Sequence, residues 1–135
     1  MTRAKLESAI QRDVKRDLIE RGWHVEVLSC NAYQKGIPDL YCFKLDTDEH
    51  GQPYQELHRW VDIKKPKGST LTKSQCQKWP LWESIGLGVW ILTGTGQEDV
   101  LFGKPNFRDF WKPRYDKYLL KDPADLLREE FGDSC

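Results

Sequence analysis

Asp39, which follows Pro38, and the run Asp62-Ile63-Lys64 are the residues whose types and spacing suit a chemical step. In an extended strand residues i and i+2 point to one face, so Asp62 and Lys64 share a side. Neighbouring strands lie about 4.8 Å apart, close enough for a carboxylate from each to hold one hard cation. Mg²⁺ takes oxygen ligands, commonly one or two carboxylates completed by water and phosphate. Such a cation lowers the pKa of bound water and stabilises charge on phosphoryl oxygens. A lysine alongside adds positive charge for the attacking water or the transition-state phosphate. Two acids and a lysine thus make a minimal set for hydrolysing a phosphodiester. Plainer readings stand beside this one. Asp39 can be a turn residue after Pro38, and Asp62 and Lys64 can be a solvated strand face flanked by Val61 and Ile63.

The elements that must position these residues are readable from periodicity. Leu6, Ile10, Val14 and Leu18 recur every four residues and predict a helix over 4–21, ended by Gly22 as a C-terminal cap. Alternation predicts a strand over 23–29. Residues 37–45 predict a second strand, with Asp39 at its start. The Asp-His-Gly-Gln-Pro chemistry of 46–53 predicts a turn, and 56–64 a third strand that ends at Asp62 and Lys64, stopped by Pro66 and Gly68. Antiparallel pairing across that turn brings Asp39 beside Asp62. Thr72 and Gln75 have capping-box spacing and open a second helix over 72–84, with Pro80 as a potential kink. Residues 88–93 are a strongly apolar fourth strand, Val100–Phe102 a candidate fifth, and 123–130 a short helix. The order α-β-β-β-α-β predicts an α/β layer fold with a mixed sheet flanked by helices.

The chain has 135 residues, 39% hydrophobic and 31% charged, with formal net charge zero. That length suits one domain, with a core over about 4–103 and a C-terminal extension over 104–135. A domain whose main task is coating nucleic acid is usually basic overall. An enzyme needing acidic ligands on one face and basic surface on another can be neutral. The charge is in fact uneven. Lys64, Lys65, Lys67, Lys73 and Lys78 fall in a segment, 64–82, with no acid, whereas 46–49 and the tail 122–133 are mainly acidic. The lysine run is readable as a solvated face, or as a surface for phosphate backbone. Cys30, Cys42, Cys76 and Cys135 show no CxxC pair and no zinc spacing with His24, His50 and His58. They are expected to be free thiols, and the histidines ordinary strand and turn residues. With no apolar span of about 18 residues, the expectation is a soluble, cytoplasmic protein with no membrane partner. Trp79 and Trp82 are expected in the core. Phe107, Phe110, Trp111, Tyr115 and Tyr118 are expected to pack the extension, with a dimer interface as the alternative.

The pattern Pro38-Asp39 followed by Asp62-Ile63-Lys64 resembles the PD-(D/E)xK nuclease superfamily, and within it the stand-alone, phage-type VRR-NUC domain. Glu7-Ser8-Ala9-Ile10-Gln11, Gly36-Ile37-Pro38-Asp39-Leu40, Val61-Asp62-Ile63-Lys64, the Gly-Ser-Thr-Leu-Thr loop and Gln75 carry the likeness, over about residues 4–93. The resemblance implies a restriction-endonuclease-like core and Mg²⁺-dependent, or Mn²⁺-supported, endonuclease activity. It implies metal ligation by Asp39, Asp62 and the Ile63 carbonyl with help from Glu7, a catalytic Lys64, and Gln75 at the site's edge. Lys65, Lys67, Lys73 and Lys78 would then face DNA. It further implies a homodimer acting on branched DNA such as Holliday junctions, in the host cytoplasm if viral. Glu7 and Gln75 also have local explanations, in the charge preference of a first helical turn and in the capping box. Two alternatives remain: a DNA-binding module that keeps the fold without catalysis, and a restriction-type nuclease.

Overall fold

The computed structural model describes residues 6–28 and 35–119. The elements are α1 (Glu7–Glu20), β1 (His24–Val27), β2 (Leu40–Thr47), β3 (Pro53–Ile63), α2 (Lys73–Ser84) and β4 (Val89–Leu92). Three short 3-10 helices follow: Glu98–Phe102, Phe107–Phe110 and Pro113–Tyr118. The sheet runs β1-β2-β3-β4. Its first three strands are antiparallel, and β4 lies parallel to β3, so the sheet is mixed, as expected. The expected α/β order is observed. The predicted helix at 123–130, Cys30 and Cys135 lie outside the described residues.

Alternate residues of β4 separate the two layers, because successive strand side chains point to opposite faces. Trp90 and Leu92 join Ile10, Val14 and Leu18 of α1 with Leu40, Val61 and Ile63. Val89 and Ile91 join Cys76 and Trp79 of α2 with Phe107 and Tyr115. Burying each aliphatic side chain of α1's apolar face contributes about 1.5–3 kcal/mol. The helix stops where Gly22 adopts φ +97°, a left-handed conformation that glycine tolerates. The Trp23 N–H then reaches back to the Leu18 carbonyl at 2.9 Å, which satisfies the helix end. The late aromatics pack as expected: Phe110, Trp111 and Tyr118 lie against the α2-side core.

Val100–Phe102 is not a strand. These residues form the end of a 3-10 helix, and the free side of β4 is sealed by a side chain instead. Asn106 accepts the Ile91 N–H at 2.6 Å and donates to the Ile91 carbonyl at 3.0 Å. Its amide thus stands in for a neighbouring strand and closes part of an edge that would otherwise pair with another chain. A three-residue apolar run could not distinguish these outcomes. Pro80 lies inside α2 without ending it.

Trp79 does more than fill space. It is fully buried, meets Phe107 edge-on at 6.0 Å, and donates its Nε1–H to the Gly36 carbonyl at 2.8 Å. Lys78 donates to the adjacent Lys35 carbonyl at 2.6 Å. α2 therefore ties down the turn that leads into Pro38-Asp39. Trp79→Phe keeps an aromatic ring but deletes this donor. It should lower stability by about 2 kcal/mol, measured as a lower urea midpoint at unchanged denaturant slope.

Candidate active site

Asp39 and Asp62 meet because of strand register. Leu40 pairs with Val61 across β2 and β3. Extending that register by one residue places Asp39 opposite Asp62. Asp39 does not continue the ladder in the ordinary way. Its Oδ2 accepts the Ile63 N–H at 2.8 Å, while its own carbonyl accepts the Leu28 N–H at 2.7 Å. The carboxylate thus takes the inter-strand N–H at the point where β2 begins. A strand residue's N–H and C=O point to the same side, so the Ile63 carbonyl lies on the β2 side of β3. Gly36 helps set this approach. It sits at φ +83°, and a Cβ there would come within 3.1 Å of Ser74 and Lys78 on α2.

Asp62 and Lys64 occupy one face of β3, but not a solvated one. Both are buried, at 2% and 6% exposure, together with Gln75 at 7%. Lys64 Nζ lies 3.2 Å from Asp62 Oδ2 and donates to Gln75 Oε1 at 2.9 Å. Gln75 Nε2 faces the same Asp62 oxygen at 3.4 Å. Gln75 Oε1 also accepts the Thr72 N–H at 3.0 Å, and Thr72 Oγ1 accepts the Gln75 N–H at 3.1 Å. The capping box and the site are therefore one hydrogen-bond network, and the two explanations of Gln75 hold together.

Burial pushes the Asp62 carboxyl up to about 7, with the Asp39 charge adding to the rise and Lys64 opposing it. A carboxyl driven towards neutrality by burial, with a second carboxyl adding to it, gains from any further positive charge beside it. The donors that the register brings together are hard oxygens, the two carboxylates of Asp39 and Asp62. That set fits Mg²⁺ or Mn²⁺ far better than a soft ion.

The other expected residues divide. Glu7 is exposed in the first turn of α1. Among the described residues no group of three or more His, Cys, Asp or Glu side chains converges on a metal position, so Glu7 is not gathered with Asp39 and Asp62. Its place in the first turn is accounted for by the helix dipole. Lys67 and Lys73 are exposed and Lys65 is half-buried, whereas Lys78 is engaged with the Lys35 carbonyl. Cys42 and Cys76 are buried free thiols. Burial pushes Cys42 up to about 12 and also raises Cys76 against the charge of Lys64, which disfavours the thiolate form of both.

One feature of the site's face was missed from the sequence. Tyr41, Phe43, His58 and Trp60 form a row of aromatic contacts, with ring centroids 4.9–6.3 Å apart. They lie on the same strand faces as Asp39 and Asp62. The signal was the alternation of Tyr41 and Phe43 with buried Leu40 and Cys42. No helix among the described residues is long and apolar enough to cross a membrane. No family model, curated protein or solved structure matches the chain.

Two outcomes test this geometry. The native state holds a proton on Asp62 that the unfolded chain, with a carboxyl near 3.8, has released. Stability from this group is therefore present at low pH and is lost as pH rises from about 4 to about 7. Asp39→Asn removes the charge that adds to the rise, so urea midpoints measured from pH 5 to pH 8 should fall less steeply than in the parent. Gln75→Ala leaves the Thr72 N–H and one Lys64 donor position without their partner. It should cost about 1–3 kcal/mol in thermal or urea unfolding.

Proposed function

We propose that the protein is a metal-dependent endodeoxyribonuclease with a restriction-endonuclease-like core, of the VRR-NUC kind that its motifs resemble. The observation that carries this reading is the buried Asp62–Lys64–Gln75 network with Asp39 facing it across the strand register. Burying an aspartate and a lysine at a strand end costs several kcal/mol per ion unless both are well paired. A solvated strand face needs no such arrangement.

In this reading Asp39, Asp62 and the Ile63 carbonyl hold Mg²⁺ or Mn²⁺. When bound, the cation supplies Lewis-acid charge to the phosphoryl oxygens and acidifies the attacking water. Lys64, held by Asp62 and Gln75, keeps a fixed positive charge where the pentavalent phosphate gains negative charge. Gln75 orients that ammonium and stays neutral. Asp39 fixes the strand end through the Ile63 N–H and lies against Asp62, where its carboxylate would share the cation. The close approach of two carboxylates that a single lysine only partly offsets supports the cation's place. Exposed Lys67 and Lys73, with Lys65, are suited to backbone phosphates.

Branched DNA, including four-way junctions, is the substrate class that the resemblance puts first. A homodimer is its corollary, because paired symmetric cuts need two sites. The test is cleavage of labelled four-way junction, flap and plain duplex with Mg²⁺ or Mn²⁺. Cutting of at least one of these is expected, with branched substrates preferred. Asp62→Ala and Lys64→Ala should each lower the rate by about a hundredfold or more. No cleavage of any substrate, or cleavage unaffected by Asp62→Ala, overturns the proposal.

A further inference from the structure

We infer that the cleft between the start of α2 and the 3-10 helix Pro113–Tyr118 is a phosphate-binding site, filled during the proposed reaction by a backbone phosphate near the one being cut. The inference rests on the nucleic-acid reading above for its ligand's source, but not for its chemistry.

The cleft has a volume of about 330 Å³. Lys73, Arg114 and Lys117 line it with Thr70, Tyr115 and Tyr118, and among the described residues no acidic side chain does. The acid of the same turn, Asp116, is engaged elsewhere, accepting the Trp111 Nε1–H at 2.8 Å. Three cations and hydroxyl groups around a concave surface match the charge and acceptor-rich oxygens of a phosphate. Lys73 opens α2, a helix of 12 residues, whose dipole adds to the attraction.

The cleft is built, not an accident of loose side chains. Tyr115 is buried, and its hydroxyl accepts the Leu71 N–H at 3.2 Å. This bond ties the 3-10 helix to the loop that precedes α2. Burial alone would raise the Tyr115 phenol. The Leu71 N–H, a hydrogen bond from Arg114 and the charge of Lys112 outweigh it, and the phenol falls below its usual range. A surplus of positive charge surrounds the hydroxyl. Arg114 lies over the Tyr115 ring at 5.5 Å and Lys117 over the Tyr118 ring at 5.0 Å, contacts that restrain both cations.

Position links the cleft to the carboxylate pair. Lys73 precedes Gln75 by two residues on the same turn of α2, so its side chain leaves a different side of the helix, and Gln75 contacts both Lys64 and Asp62. One turn of α2 thus has the candidate site on its inner side and the cleft beside it. A strand entering the site would present a neighbouring phosphate to the cleft. The residues that complete it, Arg114 and Lys117, come from the extension, which thereby gains a role in holding substrate.

The test uses the full chain in EDTA, so that binding is read without cleavage. Anisotropy of a labelled duplex is followed over a NaCl series, and inorganic phosphate is titrated separately with thermal unfolding as the readout. Arg114 and Lys117 are exposed, so the double variant Arg114→Ala/Lys117→Ala should fold. Loss of one phosphate contact predicts a salt slope shallower by about one unit and about tenfold weaker binding in low salt. Phosphate should raise the melting temperature of the parent more than that of the double variant. A double variant with parental slope, affinity and phosphate response overturns the inference. The two readings separate cleanly. A chain that binds no DNA, yet responds to phosphate through Arg114 and Lys117, keeps the phosphate site and loses the nuclease proposal. A chain that cuts DNA with a salt slope and phosphate response indifferent to Arg114 and Lys117 does the reverse.

Discussion

The arrangement around Asp62 depends on a carboxylate being held out of water. Asp62 is almost fully buried on the inner face of β3, with Asp39 opposite and Lys64 two residues on. Two carboxylates at a strand crossing repel, and desolvation adds to the penalty. One lysine and one amide offset part of it. The rest is met by a proton, since the Asp62 carboxyl rises to about 7, or in the proposed function by a divalent cation. Near neutral pH the carboxyl is thus poised between protonated and ionised forms, so small changes in its surroundings shift its charge.

Much of the remaining fold serves to keep those groups together. The Thr72–Gln75 capping box fixes the start of α2 and, through the same glutamine, the Lys64 ammonium. Four residues later Trp79 anchors the Gly36 carbonyl. α2 therefore holds the site from both strands: β3 through Lys64 and Asp62, and the approach to β2 through Gly36. On the opposite side of the sheet, α1 packs against Val61 and Ile63, the neighbours that alternate with Asp62. The apolar residues at the end of β3 set its depth in the core, and Asp62 is buried with them.

The pairing of Asp39 with Asp62 was legible because strand periodicity and a Gly-Pro-containing turn specify register. The helices, their caps and the mixed sheet were legible for similar local reasons. What was not legible is tertiary. Nothing local told that Asn106 would imitate a strand against Ile91, so Val100–Phe102 was read as a strand. The burial of Lys64 was equally hidden, since alternation with Val61 and Ile63 fits a solvated face as well as a buried one. Glu7 sits exposed in the first turn of α1, and no local pattern tells which way that turn faces relative to the carboxylate pair. Arg114 and Lys117 carry no local signal of a shared cleft, because it is the Tyr115–Leu71 bond that ties their turn to the start of α2.

The central claim is that Asp39 and Asp62 form a divalent-cation site whose occupancy displaces a proton. Calorimetric titration of the DNA-free chain with Mn²⁺, near pH 6.5 and in two buffers of different ionisation enthalpy, measures both binding and proton release. The account predicts saturable binding with release of a substantial fraction of a proton, and loss of both in Asp39→Ala/Asp62→Ala. No saturable binding, or binding that persists in that double variant, would contradict it.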